Sequence, residues 1–180
     1  MGTAQNFDIE LLRKINLNRN QNLDPAFKVV TNSVSPMIIA VPAGMIVATL
    51  IGKDTLQKQK TIFVCGSVLT AALITTSLKY AVDRPRPFVT YPDIDIVTPA
   101  GSPSFPSGHT SASFSLATSM SIAYPKWYVI APSFVWAGTV AYSRMDLGAH
   151  YPSDVLAGAI IGSGSAYLCY RLNKWYLKKR

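Results

Sequence analysis

Charged side chains are scarce in this chain of 180 residues. Asp, Glu, Lys and Arg together make up 14% of it, where soluble domains carry about 25%. Hydrophobic residues make up 49%, and the few charged residues are not enough to form a polar surface around them. The shortage of charge argues against a water-soluble protein and favours a chain that folds in a lipid bilayer. The length is enough for one domain of ordinary size.

Cysteine and histidine are also rare, with two residues of each. Cys65 and Cys169 lie inside apolar stretches, and the sequence has no Cys-x-x-Cys pair and no Cys/His metal spacing. A zinc site built on cysteines and a disulfide framework are therefore excluded. Internal repeats are absent as well, which excludes a repeat architecture.

Long apolar stretches are what the chain does contain, at 37–52, 61–78, 110–123, 127–140 and 155–169. A helix of about 20 residues, rising about 1.5 Å per residue, crosses a hydrocarbon core of about 30 Å. The third and fourth stretches reach that length only with the Ser, Thr and Gly residues beside them. A buried helix of a soluble protein would also explain the third. We predict an all-α, membrane-embedded bundle of about five to six helices.

The basic residues behind the net charge of +8 are dispersed along the chain, and three groups of them, at 53–60, at Lys126 and at 171–180, lie between or after the apolar stretches. Because these residues form no single basic stripe, we expect no nucleic acid among the partners. With five spans the three regions share one side of the membrane, which the positive-inside rule makes cytoplasmic. The C-terminus is then cytoplasmic. The N-terminus and the loops at 81–105 and 144–151 face the exterior, which is the periplasm for a bacterial inner membrane.

The N-terminal segment is amphipathic between residues 7 and 18, where Phe7, Ile9 and Leu12 alternate with charged residues. Such a segment is either a helix along the membrane interface or a surface helix packed on the other spans. The sequence Thr3-Ala4-Gln5 resembles the end of a leader cleavage region, so we expect a mature chain. The predicted organisation is N-terminal interfacial helices at 1–35, a transmembrane catalytic domain at 36–172 and a basic cytoplasmic tail at 173–180.

Basic residues suited to anion binding follow the second apolar stretch. Lys79 closes that stretch, and Arg84 and Arg86 come next, each before a proline that ends the helix. A guanidinium group binds phosphate oxygens with two parallel hydrogen bonds, and surplus arginine is unexpected in exterior loops. Lys79 taken alone is better explained as a lysine that extends to the membrane interface.

The first histidine lies at the start of the third stretch. Ser107 and Gly108 come just before His109. A helix start that contains glycine offers unpaired N–H groups to a phosphate, and an imidazole there can exchange a proton near neutral pH. Read alone, a capping serine and a hydrogen-bonded histidine at a helix end explain this segment better.

The second histidine follows Arg144 by six residues and precedes Asp154 by four. A carboxylate one helical turn from an imidazole can orient it and stabilise its charged form, which makes the histidine a directed nucleophile or base. The alternative for Asp154 is a cap of the last helix, a role that Ser153 could fill equally well.

Together the three segments resemble the three-part motif of the type 2 phosphatidic acid phosphatase (PAP2) superfamily. The matching parts are Lys79 with six residues before Arg86-Pro87, then Pro106-Ser107-Gly108-His109, then Ser143-Arg144 with five residues before His150 and three before Asp154. The match is complete in order and identity and covers about residues 79–154. It implies a helical core like that of PAP2 enzymes and vanadium haloperoxidases. The known haloperoxidases are larger and water-soluble, so the predicted spans argue against that activity.

The resemblance also implies a role for each residue. His150 is the nucleophile that becomes a phosphohistidine, and Asp154 orients it. His109 is the general acid that protonates the leaving oxygen and then the base that activates water. Arg84 lies outside the motif and is expected to have a lesser, substrate-facing role. The chemistry of the family implies no metal and no other cofactor. The implied phosphate-binding residues are Lys79, Arg86, Ser107, Gly108 and Arg144.

The activity implied by the resemblance is hydrolysis of a lipid phosphomonoester or diphosphate at the outer face of the membrane. Phosphatidic acid or phosphatidylglycerol phosphate is the first expectation for the substrate. An undecaprenyl diphosphate or lipid A phosphatase or phosphotransferase is the alternative. A protein that only binds or transports lipid is disfavoured, because binding a phosphate requires neither a nucleophile nor an acid. The sequence does not define the oligomeric state.

Overall fold

The structure, a computed structural model, describes residues 3–98 and 101–178. Over these residues it contains α-helices, one short 3-10 turn (Gln21–Leu23) and no β-strand, which confirms the predicted all-α class. Two residues of the predicted basic tail, Lys179 and Arg180, and the first two residues of the chain lie outside the described part. The helices are α1 (Thr3–Asn16), α2 (Asp24–Asn32), α3 (Val34–Gly52), α4 (Thr55–Val82), α5 (Pro87–Thr90), α6 (Gly108–Ala123), α7 (Trp127–Asp146) and α8 (Pro152–Lys178).

The ends of the long helices follow from the local sequence. Asp54 caps α4 by accepting a hydrogen bond from the backbone N–H of Leu56 at 2.9 Å. At the other end of α4, Asp83 adopts a left-handed backbone conformation with φ of 47°, and the prolines that follow cannot continue the helix. Pro152 begins α8, at a position where its missing N–H costs no helical hydrogen bond.

Burial in the bundle is the reverse of that in a water-soluble protein. Large apolar side chains point outward, with exposed fractions of 79% for Ile51 and 70% for Leu73. Small polar side chains such as those of Ser67 and Ser113 are fully buried between the helices. An outer surface of this kind is stable in an apolar solvent, so the bundle is that of an integral membrane protein.

Three stretches of the described residues are long and apolar enough to cross a membrane: Gln21–Gly52, Thr55–Thr90 and Pro152–Tyr176. They contain the first, second and fifth predicted spans. The helices α6 and α7 do not meet this criterion. Since α6 has only 16 residues and packs against α4, α7 and α8, its side chains contact protein more than lipid. The prediction of five spans is thus supported for three of the five stretches.

Close contact between α6 and α8 positions the starts of both helices. A Cβ atom at Gly158 would lie 2.7 Å from the carbonyl oxygen of Ser107, and one at Gly162 would overlap the carbonyl oxygen of Ser111. Only glycine at these positions allows the two backbones to approach so closely. The packing keeps the first turn of α6 beside the first turn of α8.

The helix α1 packs on the end of the bundle where α4 ends and α8 begins. Asn16 is fully buried and donates hydrogen bonds to the carbonyl oxygens of Asp95 at 2.9 Å and Asp146 at 2.8 Å. Phe7, by contrast, is 68% exposed. The helix is thus packed on the rest of the fold, and its position along the membrane interface stays a prediction. Its apolar contacts form one cluster of Ile9, Leu12, Ile94 and Tyr151.

Candidate active site

All eight predicted site residues lie at one end of the bundle. Lys79 is in the last turn of α4 and Arg144 in the last turn of α7, whereas His109 and Asp154 are in the first turns of α6 and α8. A Cβ atom added at Gly108 would lie 3.7 Å from Cε of Lys79. Two further contacts close the group: the backbone N–H of Ser107 donates to the carbonyl oxygen of Asp154 at 3.0 Å, and Nη1 of Arg86 lies 3.3 Å from Nε2 of His150.

The imidazole of His150 is held against a buried carboxylate. Its Nδ1 lies 3.5 Å from Oδ2 of Asp154 and 3.4 Å from the hydroxyl oxygen of Ser104. The hydroxyl of Ser104 donates to the same Asp154 oxygen at 2.5 Å, and the backbone N–H of Tyr151 donates to it at 3.0 Å. Both His150 and Asp154 are almost completely buried. Their relative orientation is therefore fixed by hydrogen bonds as well as by packing.

Contacts at both ring nitrogens favour one tautomer of His150. A guanidinium group can only donate hydrogen bonds, which favours Nε2 of His150, at 3.3 Å from Nη1 of Arg86, as the acceptor. The hydrogen of the neutral imidazole then lies on Nδ1, where Asp154 and Ser104 face it. The lone pair of Nε2 is directed toward Arg86, on the cationic part of the site.

Arg86 is itself held rigidly by the loop before α6 and the turn before α8. Its Nε donates to the carbonyl oxygen of Ser102 at 2.7 Å, and its Nη2 lies 3.2 Å from the hydroxyl of the same residue. Its Nη1 also donates to the carbonyl oxygen of Ala149 at 2.8 Å. With 5% of its surface exposed, this side chain is pre-oriented.

Lys79 and Arg144 have fewer partners than Arg86. The ammonium group of Lys79 donates to the carbonyl oxygen of Pro103 at 2.6 Å. Nη1 of Arg144 donates to the hydroxyl of Thr31 at 2.8 Å. Among the described residues no hydrogen-bond partner is found for Nε of Arg144, although the side chain is 4% exposed. A buried, unpaired guanidinium N–H is costly, and an anion is the partner that would satisfy it.

The electrostatic field of the site keeps both imidazoles neutral. Burial, together with the positive charges of Arg144, Arg86 and Lys79, lowers the pKa of His109 to about 4. Burial is also the main cause that lowers the pKa of His150 to about 3, although its hydrogen bond to Asp154 opposes this shift. All three cations therefore act on the charge of His109. A bound phosphate would neutralise their charge and raise the pKa of His109 again.

The N–H and the hydroxyl of Ser107 are both bonded within the protein, so the groups open to a phosphate belong to the residues that follow it. Its N–H is already bonded to the carbonyl oxygen of Asp154, and its hydroxyl lies 2.9 Å from that of Thr110. The side chain is fully buried. The N–H groups of the next residues, which begin α6, have no partners within the helix, because the first turn of every helix leaves them unpaired.

Arg84 bonds to carboxylates of two neighbouring elements. Its Nη1 donates to Oδ1 of Asp154 and to the hydroxyl of Ser153, both at 2.7 Å, and its Nη2 donates to Asp8 at 2.7 Å. Two buried carboxylates require a counter-charge, and Arg84 provides it. The substrate-facing role expected for this residue stays a prediction.

Sequence reasoning missed several contacts around the predicted site. Among them are Ser104 and Thr31, which bond to Asp154 and Arg144, and Asp8, which bonds to Arg84. Ser104 lies three residues before Ser107 in the motif region and could have been found as a second hydroxyl near the helix start. Thr31 and Asp8 are far from the motif in sequence. No spacing pattern links them to it, so only the fold reveals their contacts.

An all-helical membrane bundle with a carboxylate-bound histidine facing a cationic pocket defines a class of membrane proteins built to handle phosphate groups. The family model described as the PAP2 superfamily matches residues 60–178. This match covers more than half of the chain, and the protein belongs to the PAP2 superfamily.

Known relatives and solved structures agree with this membership. An undecaprenyl-diphosphatase of Sulfolobus acidocaldarius is 29% identical over 175 residues, covering 96% of this chain and 82% of that protein. A lipid A 4′-phosphatase of Bacteroides thetaiotaomicron is 42% identical over 66 residues, which span 37% of this chain and only 29% of that protein. The crystal structure of Aquifex aeolicus LpxE has a TM-score of 0.80 and 28% identity, covering 92% of this chain and 95% of that one.

Proposed function

We propose that this protein is a membrane lipid phosphatase that hydrolyses a lipid phosphomonoester or diphosphate through a phosphohistidine at His150. One observation carries the proposal. His150 is held by Asp154 at 3.5 Å with its Nε2 directed toward Arg86 at 3.3 Å. The cations at this end of the bundle also act on His109 and include, among the described residues, a guanidinium N–H without a partner. Binding alone would not require a nucleophile oriented in this way.

In the first step, Nε2 of His150 attacks phosphorus and the bond from phosphorus to the lipid oxygen breaks. His109 gives its proton to that oxygen, and the dephosphorylated lipid leaves. Asp154 stabilises the positive charge that develops on His150 through the hydrogen on Nδ1. In the second step, His109 takes a proton from water as the water oxygen attacks phosphorus, the bond to His150 breaks, and inorganic phosphate is released.

Three cations and the first turn of α6 would stabilise the charge on the transferring phosphoryl group. Lys79, Arg86 and Arg144 supply positive charge, and the backbone around Gly108 supplies unpaired N–H groups. Arg86 is already fixed by three other hydrogen bonds, so it costs little ordering when the phosphate binds. We propose that no divalent metal takes part, because this role is filled by side chains. Activity in excess EDTA tests this statement.

For the substrate, a glycerolipid phosphate such as phosphatidic acid or phosphatidylglycerol phosphate is our first candidate. Undecaprenyl diphosphate is the second, favoured by the relative of that activity that aligns with 96% of the chain. Release of phosphate from both classes and from lipid A, by purified protein in detergent, distinguishes them. The proposal is contradicted if no lipid phosphate is hydrolysed, or if His150→Ala hydrolyses them as fast as the unchanged protein.

We further propose that the site faces the exterior and that the C-terminus is cytoplasmic, in the inner membrane of a bacterium. The basic residues between α3 and α4 and at the end of α8 support this orientation by the positive-inside rule. The proposed organisation keeps residues 1–35 as N-terminal interfacial helices, 36–172 as the transmembrane catalytic domain and 173–180 as the basic cytoplasmic tail, although α8 itself continues to Lys178. Labelling tests the orientation: in a Cys65→Ser/Cys169→Ser background, Pro92→Cys should react with an impermeant thiol reagent in intact cells.

A further inference from the structure

Asp8, on α1, lies outside the part of the chain that the family model matches, residues 60–178, yet it is part of the hydrogen-bond network of the site. Its carboxylate accepts a hydrogen bond from Nη2 of Arg84 at 2.7 Å. It also accepts from the backbone N–H of Ser153 at 2.9 Å and from the hydroxyl of the same residue at 2.5 Å. Only 8% of Asp8 is exposed. A carboxylate buried to this degree and bonded this completely has a fixed position.

The bonds of Asp8 reach the proposed nucleophile in two steps. Arg84 donates from Nη2 to Asp8 and from Nη1 to Oδ1 of Asp154, so one guanidinium joins the two carboxylates. The other oxygen of Asp154 faces Nδ1 of His150 at 3.5 Å. The guanidinium is also stacked over the ring of Tyr151, 3.8 Å from its centroid. Arg84 is therefore fixed by Asp8 on one side, by Asp154 on the other and by an aromatic face.

Charge balance gives Asp8 a function beyond holding α1 in place. With both carboxylates present, the single positive charge of Arg84 is shared between Asp8 and Asp154. Without Asp8, that charge would act on Asp154 alone and would weaken its attraction for the hydrogen on Nδ1 of His150. The N–H of Ser153, in the first turn of α8, would lose its acceptor at the same time. Both changes affect the orientation of the His150 imidazole.

Docking of α1 does not depend on Asp8. The same helix is held by the buried side chains of Ile9 and Leu12 and by the hydrogen bonds of Asn16 to Asp95 and Asp146. Loss of Asp8 would therefore leave α1 docked while changing the surroundings of Arg84. This separation makes the function of Asp8 testable.

We propose that Asp8 is a positioning residue for the phosphatase reaction: through Arg84 and Ser153 it holds Asp154 so that His150 keeps its hydrogen on Nδ1. This inference rests on the function proposed above. It assigns to α1, which the family model does not include, a part in orienting the nucleophile.

The test compares Asp8→Asn and Asp8→Glu with Asp93→Asn as the matched control. The control removes another ion pair between α1 and a neighbouring loop, Arg13 to Asp93 at 2.7 Å, without touching Arg84. We expect Asp8→Asn to lower kcat by about 10- to 100-fold, by analogy with the loss seen when a hydrogen-bond partner of a metal-binding histidine is replaced. Asp8→Glu, which keeps the charge, should recover much of this loss, and Asp93→Asn should stay within about twofold of the unchanged protein.

A spectroscopic readout separates positioning from simple destabilisation. Because the chain contains only two histidines, protein carrying 15N-labelled histidine and a histidine-free affinity tag gives two imidazole signals in detergent micelles, assigned with His109→Gln. The signal of His150 should report the Nδ1–H tautomer in the unchanged protein and in Asp93→Asn. In Asp8→Asn it should shift toward a mixture of tautomers.

Counting the protein that can be phosphorylated corrects kcat for any unfolded fraction. If Asp8→Asn keeps the tautomer of His150 and the kcat per phosphorylated site, the inference is overturned and Asp8 is only structural. If the unchanged protein forms no phosphohistidine, the proposed mechanism fails. The tautomer of His150 in Asp8→Asn would then still show whether Asp8 orients the imidazole.

Discussion

The two sides of the site differ in how completely the protein satisfies its own polar groups. On the nucleophile side, formed by His150, Asp154 and Ser104, both oxygens of the carboxylate are occupied by donors. On the cation side, formed by Lys79, His109 and Arg144, a buried guanidinium N–H lacks a partner among the described residues. The imidazole of His109 on that side has a pKa lowered to about 4 by burial and nearby positive charge. The hydrogen bonds of the carboxylate on the nucleophile side are all made without a ligand, whereas the unpaired N–H on the cation side would be satisfied by a bound anion.

This difference predicts that substitutions on the two sides affect different steps of the reaction. Changes on the nucleophile side should disturb a finished arrangement and affect the chemical steps. Changes on the cation side should affect the binding of the phosphate and the protonation of the leaving group. The size of these effects should depend on the charge of the ligand and on its leaving group.

Replacing His150 should have the largest effect. We expect His150→Ala to lower kcat by about 10³-fold or more, because the attacking atom is lost. Acid-labile phosphate attached to the protein during turnover should be detected in the unchanged protein and absent from the variant. A matched control is Cys169→Ser, on the helix α8 that follows His150 and far from the site, which should retain activity. Phosphorylated protein in His150→Ala would contradict the assignment of the nucleophile.

Replacing His109 should be severe with lipids and mild with an activated substrate. Loss of a general acid costs about 10² to 10⁴-fold when the leaving oxygen needs a proton. Nitrophenyl phosphate has a leaving group that departs without one, so His109→Ala should lose much less activity in forming the phosphohistidine from it. Because the same residue would later activate water, the phosphorylated protein should accumulate. An equal loss for both substrates in this first step would show that His109 does not protonate the leaving group.

Binding of an anion should take up a proton at neutral pH. The free site keeps His109 neutral because burial and three positive charges lower its pKa to about 4. A bound dianion offsets those charges and raises the pKa, so the complex binds more protons than the free protein. The affinity should therefore fall as the pH rises from 6 to 8.

Calorimetry with tungstate, a tetrahedral dianion over this pH range, measures the proton uptake from the dependence of the heat on the buffer. We expect an uptake of up to about one proton in the unchanged protein and little in His109→Gln. An uptake that persists in His109→Gln would assign the titrating group elsewhere, and no uptake in either protein would contradict the electrostatic picture of the cation side.

The spacing of residues in three segments was sufficient to predict which side chains the fold brings together. The eight predicted site residues lie in segments with characteristic separations, and the fold brings them to one end of the bundle. The bonds of Arg84 to Asp8 and Asp154 could not be predicted, because both carboxylates are far from it in the sequence. Hydropathy could not show whether α6 faces lipid or protein, since its buried serines, such as Ser113, pack against neighbouring helices.

Thr31 belongs to the contacts that no spacing could reveal, and it provides the smallest predicted effect. Its hydroxyl accepts the hydrogen bond from Nη1 of Arg144 at 2.8 Å and is the partner found for that otherwise weakly satisfied guanidinium. Valine has nearly the same shape but no hydroxyl, so Thr31→Val would leave Arg144 less well oriented.

A hydrogen bond to a charged group contributes about 1.5 kcal/mol at the low end, which corresponds to about a tenfold change in affinity. Because a ligand compensates part of this loss, we expect tungstate binding and KM to weaken by about three- to tenfold, with kcat changed less. Thr31→Ser should restore the binding. A drop in kcat with unchanged KM would place Arg144 with the nucleophile side and would remove the distinction between the two halves of the site.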